Sequence, residues 1–175
     1  MASEIPDYWT LLGIWIRRED GLPELCTAML NGERDVPLMD EGTIVFFRRP
    51  GDAEEMIDRF GPVTDAERRG LEAVSVYCEI AALLEVVRTG RTDEYAVVVD
   101  TLNAVLDLIA ATGVGMPDDI RHTLHTAADY MTFSRDIAAW FDETKISREH
   151  LVQSIRWAVG TIVTHSKIVE AAASG

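Results

Sequence analysis

The spacing of apolar positions changes near residue 50. Before that point, short apolar runs at 11–16 and 44–47 are separated by turn residues. After it, apolar side chains recur every three or four residues over long segments. We therefore expect an α+β protein, with a small antiparallel β-meander of three or four strands plus one helix in residues 1–62. An antiparallel bundle of about four helices follows in residues 63–175, packed with the sheet as one compact unit.

The first 62 residues contain alternating runs and turn signals. Strands are predicted at residues 8–18, 25–30, 36–39 and 43–48, although 25–30 also fits a helical turn. Asn31-Gly32 is a strong hairpin signal, because both residues tolerate positive φ. Pro37 has no N–H to donate, so its strand should lie at a sheet edge or contain a bulge. Asp52 as N-cap and Gly61 as the stop residue predict one helix between them.

The remaining residues predict four long helices. They should cover 64–88, 92–112, a segment from Pro117 and 147–171, while 136–141 either continues the third helix or breaks from it. Thr64 and Glu67 form a capping-box signature, and Gly90 is a stop signal. Ser147 is the expected N-cap of the last helix. Inward-facing positions are predicted from the spacing at Val98, Leu102, Val105 and Ile109, at Ile120, Leu124, Ala127 and Met131, and at Leu151, Ile155, Ala158, Ile162 and Val169.

Net charge is the one unusual feature of the composition. Thirty Asp and Glu residues oppose sixteen Lys and Arg residues, which gives a net charge of −14. Residues 1–63 carry 13 acids and 6 bases, and residues 64–175 carry 17 and 10, so the excess is evenly spread. Such a charge repels nucleic acids and anionic membranes, whereas it attracts a basic protein. The alternative is that acidity only maintains solubility.

Other sequence features predict the compartment. No run approaches ~18 apolar residues, so we expect no transmembrane helix, and residues 1–7 lack the pattern of a signal peptide. A cytoplasmic, bacterial-type protein is the resulting expectation. Cys26 and Cys78 match no metal or redox spacing, so two buried reduced thiols of low reactivity are expected.

Polar residues recur at helical spacing in two places. Asp118, His122, His125 and Asp129 form one stripe, and Asp100, Asn103 and Asp107 form another. If the stripes faced each other, imidazole and carboxylate groups could bind Zn²⁺ or another divalent metal. The alternative is that both stripes face water, as on any amphipathic helix.

His165 falls on the predicted apolar side of the last helix. A buried histidine there needs a hydrogen-bond partner, either a backbone carbonyl or a carboxylate. In a functional role it would pair with Asp100, Asp107 or Glu79, or complete the metal site.

Two function classes result from these patterns. The leading hypothesis is an acidic protein without catalytic activity or cofactor that binds a basic protein, as an inhibitor or immunity protein does. Its binding residues would be Trp9, Trp15, Asp40 and Glu41 on the sheet. The alternative is a small metal-dependent enzyme or metal-binding protein that uses His122, His125, Asp129 and His165. Nucleophile-elbow and phosphate-loop motifs are absent from the sequence, and a subunit that only oligomerises is a third possibility.

Overall fold

The computed structural model describes residues 7–17, 21–68, 70–91 and 95–172, and this part of the chain confirms the predicted α+β class. The strands are β1 (Tyr8–Trp15), β2 (Leu25–Asn31), β3 (Val36–Pro37), β4 (Met39–Asp40), β5 (Thr43–Phe46), β6 (Val76–Glu79) and β7 (Ser166–Ile168). The helices are α1 (Ala53–Phe60), α2 (Ile80–Thr89), α3 (Tyr95–Ala111), α4 (Asp118–Ser134), α5 (Ile137–Thr144) and α6 (Arg148–Thr164). A 3₁₀ turn, Pro50–Asp52, precedes α1.

Both sheets combine antiparallel and parallel strands. The larger has the order β3-β2-β1-β6 and the smaller has the order β4-β5-β7. Early strands pair antiparallel, whereas β6 and β7 join parallel to β1 and β5. Cys26 and Phe47 exchange two backbone hydrogen bonds of 2.7 and 2.9 Å that link the sheets. The expected antiparallel meander is thus extended by two strands from the later part of the chain.

Strand β1 separates two apolar cores. Successive side chains point to opposite faces of a strand, so Leu12 and Ile14 join the core beneath the helices. Trp9 and Leu11 face the other way and join a smaller core against α1. Strand β3 is an edge strand, as Pro37 requires.

The predicted helix boundaries are confirmed at several ends. Helix α1 lies between Asp52 and Gly61, although Asp52 makes no side-chain cap. Gly90 ends α2 with φ of +69°, a left-handed conformation that glycine adopts without strain. The Ser147 hydroxyl accepts a hydrogen bond of 3.1 Å from the His150 N–H at the start of α6. Asp136 caps α5, so 136–141 breaks from the preceding helix.

The prediction of a helix from residue 64 to residue 88 is wrong for its first half. The Thr64 hydroxyl accepts a bond of 3.1 Å from Ala66 N–H, but no helix follows. Instead, Trp9 N–H donates to the Glu67 carbonyl at 2.8 Å, and Glu67 N–H donates to the Asp7 carbonyl at 3.0 Å. Pairing with the β1 strand satisfies these backbone groups, which a helix would otherwise pair locally.

The last helix is also shorter than predicted. It ends at Thr164, and the residues that follow form β7 beside β5. The Ile44 N–H donates to the His165 carbonyl at 2.9 Å, and the Val169 N–H donates to the Phe46 carbonyl at 2.8 Å. Helices α3, α4 and α6 have 17 residues each. Within the described ranges, none of the helices combines the length and apolarity that crossing a bilayer needs.

Helix α3 is the central helix. It packs against α2, α4 and α6, and it also contacts the β3 and β6 strands. The hydroxyl of Thr101, which is fully buried, accepts a hydrogen bond of 2.9 Å from Glu79 N–H where β6 meets α2. The four inward positions predicted for this helix are all buried. Its contact with β3 brings the turn after β2 close to the last turns of α3, and this juxtaposition forms the candidate site.

Candidate binding site

The polar stripe of α3 becomes progressively enclosed along the helix. Asp100 and Asn103 are exposed, whereas Asp107, two turns later, is half-buried. Burial raises the pKa of Asp100 above its ordinary value. Asp107 is therefore the member of this stripe whose surroundings differ most from water.

A cleft separates the C-terminal part of α3 from the turn between β2 and β3. We call it the turn cleft, and it has a volume of about 560 Å³. Glu33, Arg34 and Asp35 line its turn side, and Asp107 and Ala110 line its helix side. Three carboxylates and one guanidinium thus line this cleft. Such a surface is suited to a cationic side chain of a partner.

The carboxylate of Asp107 has a raised pKa in the turn cleft. Burial, and to a lesser extent the negative charge of Asp35, raises the pKa of Asp107 to about 6. Among the described residues, none forms a hydrogen bond or ion pair with its carboxylate. A partly desolvated carboxylate without a partner is unfavourable in its charged form. A cation that entered the cleft would remove this cost.

Asp107 also borders a second cleft, which lies between α3 and α4. We call this the helix cleft, and it has a volume of about 360 Å³. Arg121 and His125 line it from α4. Arg121 forms an ion pair of 3.0 Å with Asp118 and donates a bond of 2.7 Å to the Met116 carbonyl. One residue from each predicted polar stripe, Asp107 and His125, thus lines this cleft.

The other predicted metal ligands do not line the helix cleft. His122 and Asp129 are exposed on α4. His165 is half-buried at the C-cap of α6, where Nδ1 lies 2.9 Å from the Thr161 carbonyl oxygen and 3.1 Å from Thr164 Oγ1. A backbone carbonyl is therefore its partner, as one of the two expectations had it. Across the described ranges, no three His, Cys, Asp or Glu side chains are grouped closely enough to hold a metal ion.

The four residues predicted to bind a partner on the sheet have different surroundings. Trp9 is 1% exposed and belongs to the smaller core, so it does not contribute to the protein surface. Trp15 is half-buried and stacks on the exposed Tyr77 ring, with 5.4 Å between centroids. Asp40 is ion-paired with Lys167, and Glu41 is exposed in the turn before β5. Trp15 and Glu41 are the members that remain accessible.

The two cysteines are free, buried thiols, as expected. Burial, with a smaller contribution from Asp52, raises the pKa of Cys26 to about 12. Burial, with a smaller contribution from Glu79, raises the pKa of Cys78 to about 12. Because the thiolate is the reactive form, neither cysteine is suited to nucleophilic chemistry at neutral pH.

Sequence reasoning missed the turn side of the turn cleft. Asp107 was a candidate through its helical spacing, but Glu33 and Asp35 follow the Asn31-Gly32 turn signal and resemble ordinary turn residues. No local pattern indicates that this turn lies beside residue 107. A weak signal was available, since two acids flank Arg34 next to an edge strand.

In comparisons with known proteins, no family model, curated protein or solved structure matches the chain.

Proposed function

We propose that this chain is a non-catalytic protein that binds a basic protein partner through the turn cleft, in the manner of an inhibitor that neutralises that partner. The observation that carries the proposal is the half-buried Asp107 carboxylate beside Asp35 and Glu33, without a partner among the described residues. A lysine or arginine of the partner would supply the missing charge. The net charge of −14 would increase the rate of encounter at low salt.

The composition also supports the proposed setting. The two buried free thiols are compatible with a reducing compartment, and the cytoplasm is the proposed location of the binding reaction. A strongly acidic chain is a poor ligand for nucleic acids, and this supports a basic protein as the proposed partner.

The proposal is tested with a fluorescent arginine-rich peptide as the probe and the full chain as the receptor. Asp107→Asn removes the charge but preserves the shape of the side chain. Because a charge-assisted hydrogen bond contributes roughly 1.5–3 kcal/mol, we expect peptide affinity to fall about tenfold or more. Asp129→Asn is the matched control, since it makes the same charge change on the exposed side of α4. Its affinity should change less than about twofold, as a surface charge contributes little.

The pH dependence provides an independent measurement. Peptide affinity should fall as pH decreases from 7 to 5, since Asp107 takes up a proton near pH 6 and loses its charge. The neighbouring charged groups are Glu33, Arg34 and Asp35 on the turn, and Arg121 and His125 on α4. Because the carboxyl of Asp107 is the group that changes charge near pH 6, Asp107→Asn should show a smaller dependence of peptide affinity on pH than the parent.

Two results would contradict the proposal. Equal weakening by Asp107→Asn and Asp129→Asn would show that only the overall charge attracts the peptide. Peptide affinity that is unchanged in both variants would show that the peptide does not bind through Asp107 in the turn cleft.

A further inference from the structure

An apolar cavity, separate from the turn cleft, extends from the protein surface into the larger core. It has a volume of about 150 Å³. Its wall is formed by apolar side chains from several strands and helices, including Ile14, Cys78, Val105, Leu108, Val159 and Ile162. Five of these six belong to the buried core, and Val159 packs against it. The deep wall of the cavity is therefore built from strands and helices, whereas Ile16 lies just beyond the end of β1.

The lining leaves little reason for water to occupy this space. Every described lining residue is apolar, and the Cys78 sulfur is the one heteroatom among their side chains. A buried water needs roughly two to four polar partners, which this wall does not supply. An engineered protein cavity of about 150 Å³ lined by Leu, Ile and Phe stays dry and binds benzene or xenon. The size and chemistry of this cavity thus match a single six-membered ring.

The cavity can be reached from the protein surface. Ile16 is 52% exposed and Val163 is 64% exposed, and both line it. The deeper residues Cys78, Val105 and Leu108 are each 1% exposed. Side chains at the mouth are therefore free to move aside, whereas the deep wall is held by the core.

We propose that this cavity is a binding site for a small apolar molecule of the size of one six-membered ring. A ring of this kind fills the volume and requires no hydrogen bond from the wall. Entry is expected to release heat, because apolar ligands that enter a preformed and poorly hydrated cavity bind with favourable enthalpy.

Benzene is the probe, and the full chain is measured by titration calorimetry and thermal unfolding. We expect exothermic binding, and a Tm that rises with benzene concentration because the ligand binds the folded state. In ¹³C spectra, methyl shifts should be confined to cavity residues such as Leu108 and Ile162, while Leu38 in the smaller core stays unchanged. Movement of Leu38 methyls without those of the cavity would overturn the proposal.

Filling the cavity provides the decisive comparison. Val159→Phe places a ring in the proposed site and should reduce benzene affinity at least tenfold. Val63→Phe is the matched control, as this valine is fully exposed and outside the cavity, and it should bind as the parent does. If Val159→Phe fails to fold, Val163→Phe at the exposed mouth should give the same loss.

Three results would contradict the assignment. One is the absence of heat and of a Tm shift up to the solubility limit of benzene. Another is unchanged benzene affinity in the folded filling variant. The third is binding of hexane without binding of benzene, which would show that the cavity selects a flexible chain and not a ring.

Discussion

Helices α3 and α4 carry polar residues at similar helical spacing, but the two stripes lie in different surroundings. Helix α3 is packed between two strands and three helices, and its stripe ends at the half-buried Asp107. Helix α4 contacts only helices among its main neighbours, and His122, His125 and Asp129 are exposed on it. Spacing therefore determines which residues share a face of a helix. The packing of other elements determines whether that face meets water.

The largest difference between α3 and α4 in the free energy of unfolding should come from replacing their apolar side chains. Leu102 on α3 is fully buried, so Leu102→Ala should lower the free energy of unfolding by about 2–5 kcal/mol. Phe133 on α4 is 86% exposed, and Phe133→Ala should change it by less than about 0.5 kcal/mol. Urea denaturation measures both. A similar loss in the two variants would show that α3 is not the central helix.

A buried hydroxyl gives the next largest contrast. Thr101→Val keeps the shape of the side chain but leaves the Glu79 N–H without its acceptor, at a cost of about 1–3 kcal/mol. Thr132 is the matched position on α4, since its exposed hydroxyl donates a bond of 2.9 Å to the Ala128 carbonyl of the same helix. Thr132→Val should be close to neutral. Thr101→Ser retains the hydroxyl and should lose less stability than Thr101→Val. Urea denaturation of the parent and the three variants measures these differences.

The contrast between the carboxylates should appear as a pH dependence of stability. Asp107 has a folded-state pKa of about 6, above the ordinary value of about 3.9 in an unfolded chain. The folded state therefore binds the proton more tightly, and Asp107 reduces stability as pH rises from about 4 to 6. We expect Asp107→Asn to be more stable than the parent by about 1 kcal/mol at pH 7, after allowance for partial solvent screening.

Denaturation at pH 4 and pH 7 tests this directly. The advantage of Asp107→Asn should disappear near pH 4, where the carboxyl is protonated in both states. Asp129→Asn is the control at an exposed position, and it should change the free energy of unfolding at pH 7 by less than about 0.5 kcal/mol. If Asp107→Asn were destabilising at pH 7, an unrecognised partner of the carboxylate would have to exist. A variant that gains stability while it loses peptide affinity is typical of a binding residue.

The helical part of the fold was predictable because it depends on local periodicity. Leu124, Ala127 and Met131 on α4 are buried, as their spacing indicated. The segment 64–79 was not predictable in this way. Leu71 and Val74 also fit a helical period, but strand β6 pairs with β1, more than sixty residues earlier. Such pairing is invisible to a pattern of neighbouring residues, and it overrides the local capping signal at Thr64.

The candidate site was likewise predictable only in part. Helical spacing identified Asp107 and His125, which line the same cleft, although the spacing left open whether the two stripes face each other or face water. The role of Asp35 depends on the contact between β3 and α3. No charge pattern within either segment indicates that contact. Residues that share an element can thus be found from sequence, whereas residues brought together by topology cannot.

The smallest change in the free energy of unfolding is expected for variants of the histidines of α4. His122 and His125 are exposed, so replacing either by alanine should change the free energy of unfolding by less than about 0.5 kcal/mol. Thermal unfolding with and without added Zn²⁺ sharpens this prediction, because a metal bound to the folded state would raise Tm. We expect the parent and His122→Ala to respond alike. If zinc raises the Tm of the parent and His122→Ala abolishes that rise, the exposed stripe of α4 binds metal. The polar stripes of α3 and α4 would then differ in the ligand that each binds, and not only in their exposure to water.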